Sequence, residues 1–275
     1  MRVKIVTAIY QVGWKDITFF CENVRIVAGI NPNIGFVVYT NNKDRLKKYF
    51  ASIENIKVVT REVEDFHCYD SVKQSFNLLN DYQKSVRFGN LKYLCLMHEK
   101  ANFVSENESL YVYWMDAHLL SHILLPEMYM GRGFDLTKLA VQKMKIFKIP
   151  HAGNLHGVDM SKFGTELYDG KYMIGGFWGG ACQIVGEFLN DYGPKAEMML
   201  QNNCFGTDEN VFTLISNDFD RSLIKEYNFE QWYHQDTRLW KHDISSPMDP
   251  NLVSFSDVFA KNFLEEFRYW EKEHV

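Results

Sequence analysis

The order of apolar and polar segments in the first sixty residues limits this chain to a narrow set of folds. Val3 to Ile9 is apolar almost throughout, which suits a strand covered on both faces. Gln11 to Lys15 is a polar turn. Asp16 can then cap a helix whose apolar positions include Phe19, Phe20, Val24 and Val27. Gly29 and Asn31-Pro32 end it. Gly35 to Thr40 reads as a second strand, and Asn41, Asn42 and Asp44 open a helix through Tyr49-Phe50. Asn55 to Val59 reads as a third strand. This β-α-β-α-β succession predicts a parallel sheet with crossover helices.

Two helices are expected next, over Ser71 to Asn80 and Leu91 to Phe103. They lead into Tyr111-Val112-Tyr113-Trp114-Met115-Asp116-Ala117-His118. The apolar run there is short, rich in aromatics and ends abruptly in polar groups. It therefore reads as a buried strand, the fourth of the same sheet. Lys138 to Ile149 alternates poorly and reads as strand or helix, and His151 to Gly157 as a polar loop. After the dense stretch Tyr172 to Gly180, a helix carries Ile184, Val185, Phe188 and Leu189 on one side. Gly193-Pro194 breaks that segment. Gly206 to Asn210 looks like a helix start with Thr207 as its cap, and Leu223 to Tyr227 like another strand. Phe259, Phe263, Phe267 and Trp270 predict a terminal helix over about 255–272, docked on the domain or lying on a membrane surface. With no repeat or clear linker, the expectation is one α/β domain.

Composition removes several function classes. The net charge is −5 and no long basic run occurs, so the footprint for a nucleic-acid backbone is missing. Cysteines at 21, 68, 95, 182 and 204 form no C-x-x-C pair. Such usage argues against a disulfide scaffold or zinc ribbon and for a reducing compartment. The opening residues read as a strand rather than a signal peptide, and no apolar run reaches the length of a membrane span. A cytoplasmic protein is the expectation.

Three segments carry candidate chemistry. Ligands collect at the carboxyl ends of strands in α/β proteins, and Asp116 and His118 emerge at one such end. Together they can hold a divalent metal and, through it, a diphosphate; Mg²⁺ favours the oxygen ligand and Mn²⁺ also accepts imidazole. The same residues can equally be a polar strand end that caps the next turn. The glycines at 175, 176, 179 and 180 cost conformational entropy on folding. They answer either to close approach of a ligand, with Phe177 and Trp178 against a sugar face, or to a bulged strand or tight turn. Asp208-Glu209 sits at a helix start, where acids favour the helix dipole and can also orient or deprotonate a hydroxyl. Lys84, Arg87 and Lys92 precede the fourth strand as cations for a leaving diphosphate or as solvated charges. His151, His156 and His234 lie in polar contexts.

A strand ending Thr7-Ala8-Ile9-Tyr10 comes first in the chain. Trp114-Met115-Asp116-Ala117-His118, Gly175-Gly176-Phe177-Trp178-Gly179-Gly180 and Thr207-Asp208-Glu209-Asn210 follow it. In this order they resemble nucleotide-sugar-dependent glycosyltransferases of the GT-A fold. Within that group the chain is most similar to the bacterial HtrL/YibB family, associated with lipopolysaccharide or surface-glycan synthesis. The resemblance runs from Val3 to about Ile215. It implies a GT-A-like single domain with a mainly parallel central sheet flanked by helices. It also implies transfer of a sugar from a UDP-linked donor to a glycan or glycolipid acceptor.

The resemblance further implies a role for each match. Thr7, Ala8 and Tyr10 would contact the nucleotide base or ribose. Asp116 and His118 stand where such enzymes carry an Asp-x-Asp motif for Mn²⁺ or Mg²⁺, with His118 replacing the second acid. Gly175, Gly176, Trp178 and Gly179 would line the sugar and acceptor pocket, and Asp208 and Glu209 would face donor sugar or acceptor. Two other classes remain open at this point: a metal-dependent phosphohydrolase using Asp116, His118 and His122, and a non-catalytic glycan-binding or nucleotide-binding protein.

Overall fold

The computed structural model describes residues 2–12, 17–85, 89–117, 142–150, 154–163 and 171–228. All of them fall within one compact unit, Met1–Trp232. The terminal helix expected over about 255–272 lies outside the described residues.

The succession expected at the start is present. Strands β1 (Val3–Ala8), β2 (Gly35–Thr40) and β3 (Ile56–Thr60) alternate with helices α1 (Ile17–Ile30) and α2 (Lys43–Phe50). Asn42 caps α2 by accepting the Arg45 N–H at 3.2 Å, as a short amide at a helix start should. Beyond β3, the helix expected over Ser71 to Asn80 divides. It becomes α3 (Tyr69–Ser75), a 3-10 turn Phe76–Leu78 and α4 (Asp81–Ser85). Helix α5 (Leu91–Ser105), capped by Asn90, then leads to β4 (Tyr111–Met115).

β1 pairs in parallel with β2 on one side and with β4 on the other, and β2 pairs in parallel with β3. The chain thus steps outward twice from β1, then returns to its opposite flank. That reversal makes the carboxyl ends of β1 and β4 the topological switch point, where open α/β sheets leave a crevice for ligands. The ambiguous segment 138–149 supplies β5 (Met144–Pro150), and a small hairpin follows from β6 (Asn154–Leu155) and β7 (Val158–Asp159). The glycine-rich stretch is a long strand, β8 (Lys171–Ala181), and β9 (Ile224–Asn228) lies at the far edge. The sheet order is β3-β2-β1-β4-β8-β5-β9. β8 alone runs against its neighbours, because it is antiparallel to both β4 and β5 while β9 is parallel to β5.

Both faces of the sheet are covered. Val3, Ile5 and Ile9 of the first strand and its extension pack with Val24 and Val27 of α1 and Leu46 and Phe50 of α2. Val6 and Tyr10 join the other layer, with Val72 of α3 and Leu94 and Phe103 of α5. That layer also takes Val185 and Phe188 from α6 (Cys182–Asn190), Met199 from α7 (Tyr192–Gln201) and Phe212 from α8 (Asp208–Asp218). The break expected at Gly193-Pro194 falls at Asp191, and Pro194 sits in the first turn of α7, where its missing N–H costs nothing. All five cysteines are free thiols. No helix among the described residues is long and apolar enough to cross a membrane.

Two of the β8 glycines answer to strand packing. Gly179 lies at φ +148°, and a Cβ there would stand 2.3 Å from the Val112 carbonyl oxygen and 2.6 Å from Tyr113 Cα. A Cβ on Gly180 would stand 2.8 Å from Met144 Cα. Gly179→Ala should therefore lose about 2–4 kcal/mol in urea unfolding, through backbone strain and overpacking together. Gly186, exposed on α6 with nothing within 4 Å of an added Cβ, provides the contrast. Gly186→Ala should gain about 0.5–1 kcal/mol from helix propensity.

Candidate active site

At the switch point the chain places a cation inside the sheet-to-helix layer. Lys100 lies on the face of α5 that also carries Leu96 and Val104, and only 2% of its surface is exposed. An ammonium there must be paired, or burial would drive it to the neutral form. It stands 3.0 Å from Asp208 Oδ2 and 3.3 Å from Asp116 Oδ1, and it donates to the Gly175 carbonyl at 3.3 Å. The carbonyl is its hydrogen-bond acceptor, and the two carboxylates are its ion-pair partners. The Trp114 ring lies 5.6 Å away, close enough for a cation–π contribution. Burial pulls the Lys100 pKa down, but Asp116 and Asp208 outweigh it, so the group is held above its ordinary value and stays charged.

Each partner comes from a different element. Asp116 follows the last residue of β4. Its backbone N–H reaches the Gly176 carbonyl at 2.8 Å, and Trp114 Nε1 donates to its Oδ1 at 2.8 Å. With Oδ1 bound to Trp114 and Lys100, Oδ2 has no partner among the described residues, and the side chain is 21% exposed. Asp208 and Glu209 open α8. The Thr207 N–H donates to Asn210 Oδ1 at 2.8 Å, one arm of a capping box. Gly206 leaves room for that amide, since a Cβ would meet it at 2.2 Å. The Gly206 carbonyl in turn accepts from His98 Nε2 at 2.9 Å. Burial lowers the His98 pKa to about 4, so this imidazole is a neutral strut.

The strand beneath α8 is irregular. Ile146 pairs with Trp178 but Lys148 pairs with Met173, so residues 174–177 of β8 stand opposite one residue of β5. This bulge releases the peptide groups of Gly175 from the ladder. Its N–H donates to Glu209 Oε1 at 2.9 Å, and its carbonyl serves Lys100. A Cβ at 175 would stand 2.2 Å from Asp208 Oδ2 and 3.0 Å from Glu209 Cγ. Glycine is required here because the acidic pair lies directly over the backbone. Glu209 Oε2 pairs with His156 Nε2 from the turn of the β6–β7 hairpin.

Environment separates the two acids of α8. Asp208 is 1% exposed. Burial pushes its pKa up to about 6; Lys100 opposes the rise, while Glu209 and Asp116 add to it. Glu209 is partly exposed. Burial pushes it up as well, but the hydrogen bond and charge of His156, the Gly175 N–H and Lys100 together hold it below the usual carboxylate range. Glu209 is therefore the partly exposed anion of the pair, whereas Asp208 is buried against Lys100.

The remaining expected residues are placed as follows. Thr7 is fully buried in β1 with its hydroxyl unpartnered, and Ala8 is half-buried at the strand end. Tyr10 is buried; its hydroxyl donates to the Arg61 carbonyl at 2.9 Å, and its ring lies on Phe66 and Phe103. Lys92 is at the surface, 3.2 Å from Glu64. Trp178 is fully buried against Phe212 and opposite Trp114, and Gly179 belongs to the β4–β8 seam. Neither offers a surface to a sugar. His118, His122, His151, His234 and Arg87 lie outside the described residues. Lys100 is the addition, and His156, read from the sequence only as a histidine in a polar context, joins the site through Glu209. A lysine four residues from Leu96 and from Val104 is a cation on an apolar stripe, and that spacing was the available signal for it.

Among the described residues, three carboxylates are gathered about one ammonium, an excess of negative charge. A hard divalent cation matches that charge, and the outward oxygen of Asp116 is a donor of the right kind. Asp116 thus offers one oxygen donor, whereas the described residues that bring three possible ligand atoms within 4.8 Å of one another are His67, Glu99 and Glu106. No protein-family model matches this chain, and no curated protein matches it significantly.

Removing the central cation should be costly. Lys100→Met leaves Asp116 and Asp208 facing each other and should lose about 3–5 kcal/mol in urea unfolding; adding Asp208→Asn should restore part of it. The pH dependence has a fixed sign. Asp208 binds its proton more tightly in the folded chain than in the unfolded one. Its stabilisation is present below the ordinary carboxylate value of 3.8 and is lost as pH rises through about 6. Wild type should therefore lose stability relative to Asp208→Asn across that interval in paired unfolding titrations.

Proposed function

We propose that this chain is a GT-A-like glycosyltransferase that moves a sugar from a nucleotide-linked donor, UDP-linked in the first instance, to a glycan or glycolipid hydroxyl. The observation that carries the reading is the convergence of Asp116 with the Asp208-Glu209 pair about Lys100, at the switch point of a mostly parallel sheet. These segments are far apart in the chain, and such a crevice is where α/β proteins bind nucleotides. Helices on both faces and a single reversed strand agree with the same fold.

The chemistry follows from charge. Transfer leaves a nucleoside diphosphate, whose developing negative charge has to be offset. A divalent cation bound at Asp116 would supply Lewis-acid stabilisation there. Trp114 and Lys100 fix Oδ1 of Asp116 and so aim the other oxygen outward. Glu209 is the exposed member of the acidic pair and faces the acceptor side. Asp208 holds Lys100, and Lys100 holds Asp116. At the end of β1, Ala8 is the residue within reach of a nucleotide, with Thr7 and Tyr10 shaping the floor beneath it.

A panel of nucleotide sugars with Mn²⁺ or Mg²⁺, followed by nucleoside diphosphate release, tests the reading. Wild type should release diphosphate with at least one donor and gain thermal stability on binding it. Asp116→Ala should lose at least about 100-fold in rate, the scale of losing one electrostatic stabiliser. Release of phosphate or nucleotide without regard to sugar or acceptor would point to a phosphohydrolase. Absence of both release and thermal shift with every donor would remove the enzyme reading.

A further inference from the structure

We propose that His67, Glu99 and Glu106 form a site for a divalent transition-metal ion of the Zn²⁺ type, distinct from Asp116 and independent of the transferase reading. One ligand atom from each residue lies within 4.8 Å of the other two. His67 Nδ1 stands 2.9 Å from Glu99 Oε1 and 3.8 Å from Glu106 Oε1. Around a tetrahedral ion bound at about 2.0–2.1 Å, neighbouring ligand atoms are about 3.3–3.4 Å apart. The two separations fall on either side of that value, so closing the shell takes only small side-chain movements. Imidazole and carboxylate are both ligands that Zn²⁺ accepts, and three protein ligands leave a fourth position open to water.

The carboxylates are held from outside the cluster. Glu99 is fully buried. Its Oε2 accepts from the Cys68 N–H at 3.2 Å and from Asn102 Nδ2 at 3.0 Å, and the His67 N–H reaches Oε1 at 3.2 Å. Glu106 Oε2 accepts from the Tyr39 hydroxyl at 3.0 Å and from Arg61 Nη2 at 2.8 Å. Asn107 Nδ2 fixes that hydroxyl in turn, at 3.0 Å. In both carboxylates the outer oxygen is thus satisfied, and Oε1 is left on the side of His67 Nδ1. Hydrogen bonds of this kind orient the ligands of metal sites. His67 comes from the segment between the 3-10 turn Val63–Asp65 and α3, Glu99 from within α5 and Glu106 from just beyond its end. An ion there clips the chain that follows β3 onto α5.

A positive group already lies against the same oxygens. Arg61 Nη1 is 2.7 Å from Glu106 Oε1 and 3.6 Å from Glu99 Oε1. The ion and Nη1 therefore compete. Arg61 can yield Oε1 without leaving the cluster, because Nη2 holds Oε2 and the guanidinium lies 5.5 and 5.8 Å from the Tyr39 and Phe103 ring centroids. The His67 side chain is 62% exposed, which supplies the entry path. Glu62 and Asp65, exposed on the same segment, add negative charge along that path. A carboxylate oxygen only accepts, so Nδ1 donates its proton to Glu99 before the ion arrives. Coordination displaces that proton and leaves the neutral ring protonated at Nε2.

The test uses the full chain, stripped with a chelator and titrated with Zn²⁺ alone by calorimetry and thermal melting. Wild type is compared with Asp116→Ala, His67→Ala, Glu106→Gln and Arg61→Gln, each checked for an unchanged circular-dichroism spectrum. Wild type and Asp116→Ala should both bind Zn²⁺ and melt at a higher temperature with it. His67→Ala and Glu106→Gln alter partly exposed side chains and should bind at least about 100-fold more weakly, since losing a mere outer partner costs about 10–100-fold. Arg61→Gln should bind more tightly than wild type, because Nη1 no longer competes. NMR of the histidine ring nitrogens should show the His67 Nδ1 signal move on adding Zn²⁺. The proposal is overturned by absence of binding in wild type, by its complete loss in Asp116→Ala, or by unchanged binding in both His67→Ala and Glu106→Gln. The transferase reading is judged separately, on nucleotide-sugar turnover.

Discussion

One buried ammonium holds this site together. Lys100 draws a carboxylate from the end of β4, a carboxylate from the start of α8 and a backbone carbonyl from β8 onto a single nitrogen. Taking that charge out of water is costly, and the pairs it makes chiefly recover the cost. What remains is placement. Four elements meet at one atom, α5 and β4 consecutive in the chain and β8 and α8 well beyond them, and the contrast between Asp208 and Glu209 follows from the His156 and Gly175 partners that hold Glu209 down while burial raises both.

The glycines divide the work of the long reversed strand. Gly179 and Gly180 let β8 lie close against β4 and β5, while Gly175 clears the space that Asp208 and Glu209 fill. Trp114 and Trp178 face each other across the same seam, yet only Trp114 reaches the charged cluster, through its indole N–H. A cluster that looked uniform in sequence thus contains packing positions and one site position, set apart by which neighbour would meet an added methyl group.

The parallel part of the sheet was legible because continuous apolar runs at Val3, Gly35 and Tyr111 leave few alternatives for strands buried on both faces. Asp116 and Asp208-Glu209 were legible for a related reason: acids at the ends of elements are where a fold can aim them. β8 was legible only as one of several readings, a bulged strand beside a tight turn or a ligand loop, since glycines erase the strand propensity that its burial in the sheet overrides. β5 was ambiguous because Lys145 and Lys148 interrupt its apolar run, and Lys148 is nonetheless buried beside Asn217 and Glu226. Lys100 escaped, and His156 was named without a role, because each depends on tertiary placement. A lysine on a helix is usually solvated, and a histidine in a short turn means little until the turn is seen pinned against α8.

The bulge at 174–177 has a mechanical consequence. A strand in mid-sheet ordinarily spends its peptide groups sideways, on its neighbours. Gly175 instead offers its amide to an acid and its carbonyl to a base, on the side where α8 and α5 approach. The strand is therefore tethered to both signs of charge above it. Moving Glu209 outward or taking a partner from Lys100 would strain a hydrogen bond of the strand itself.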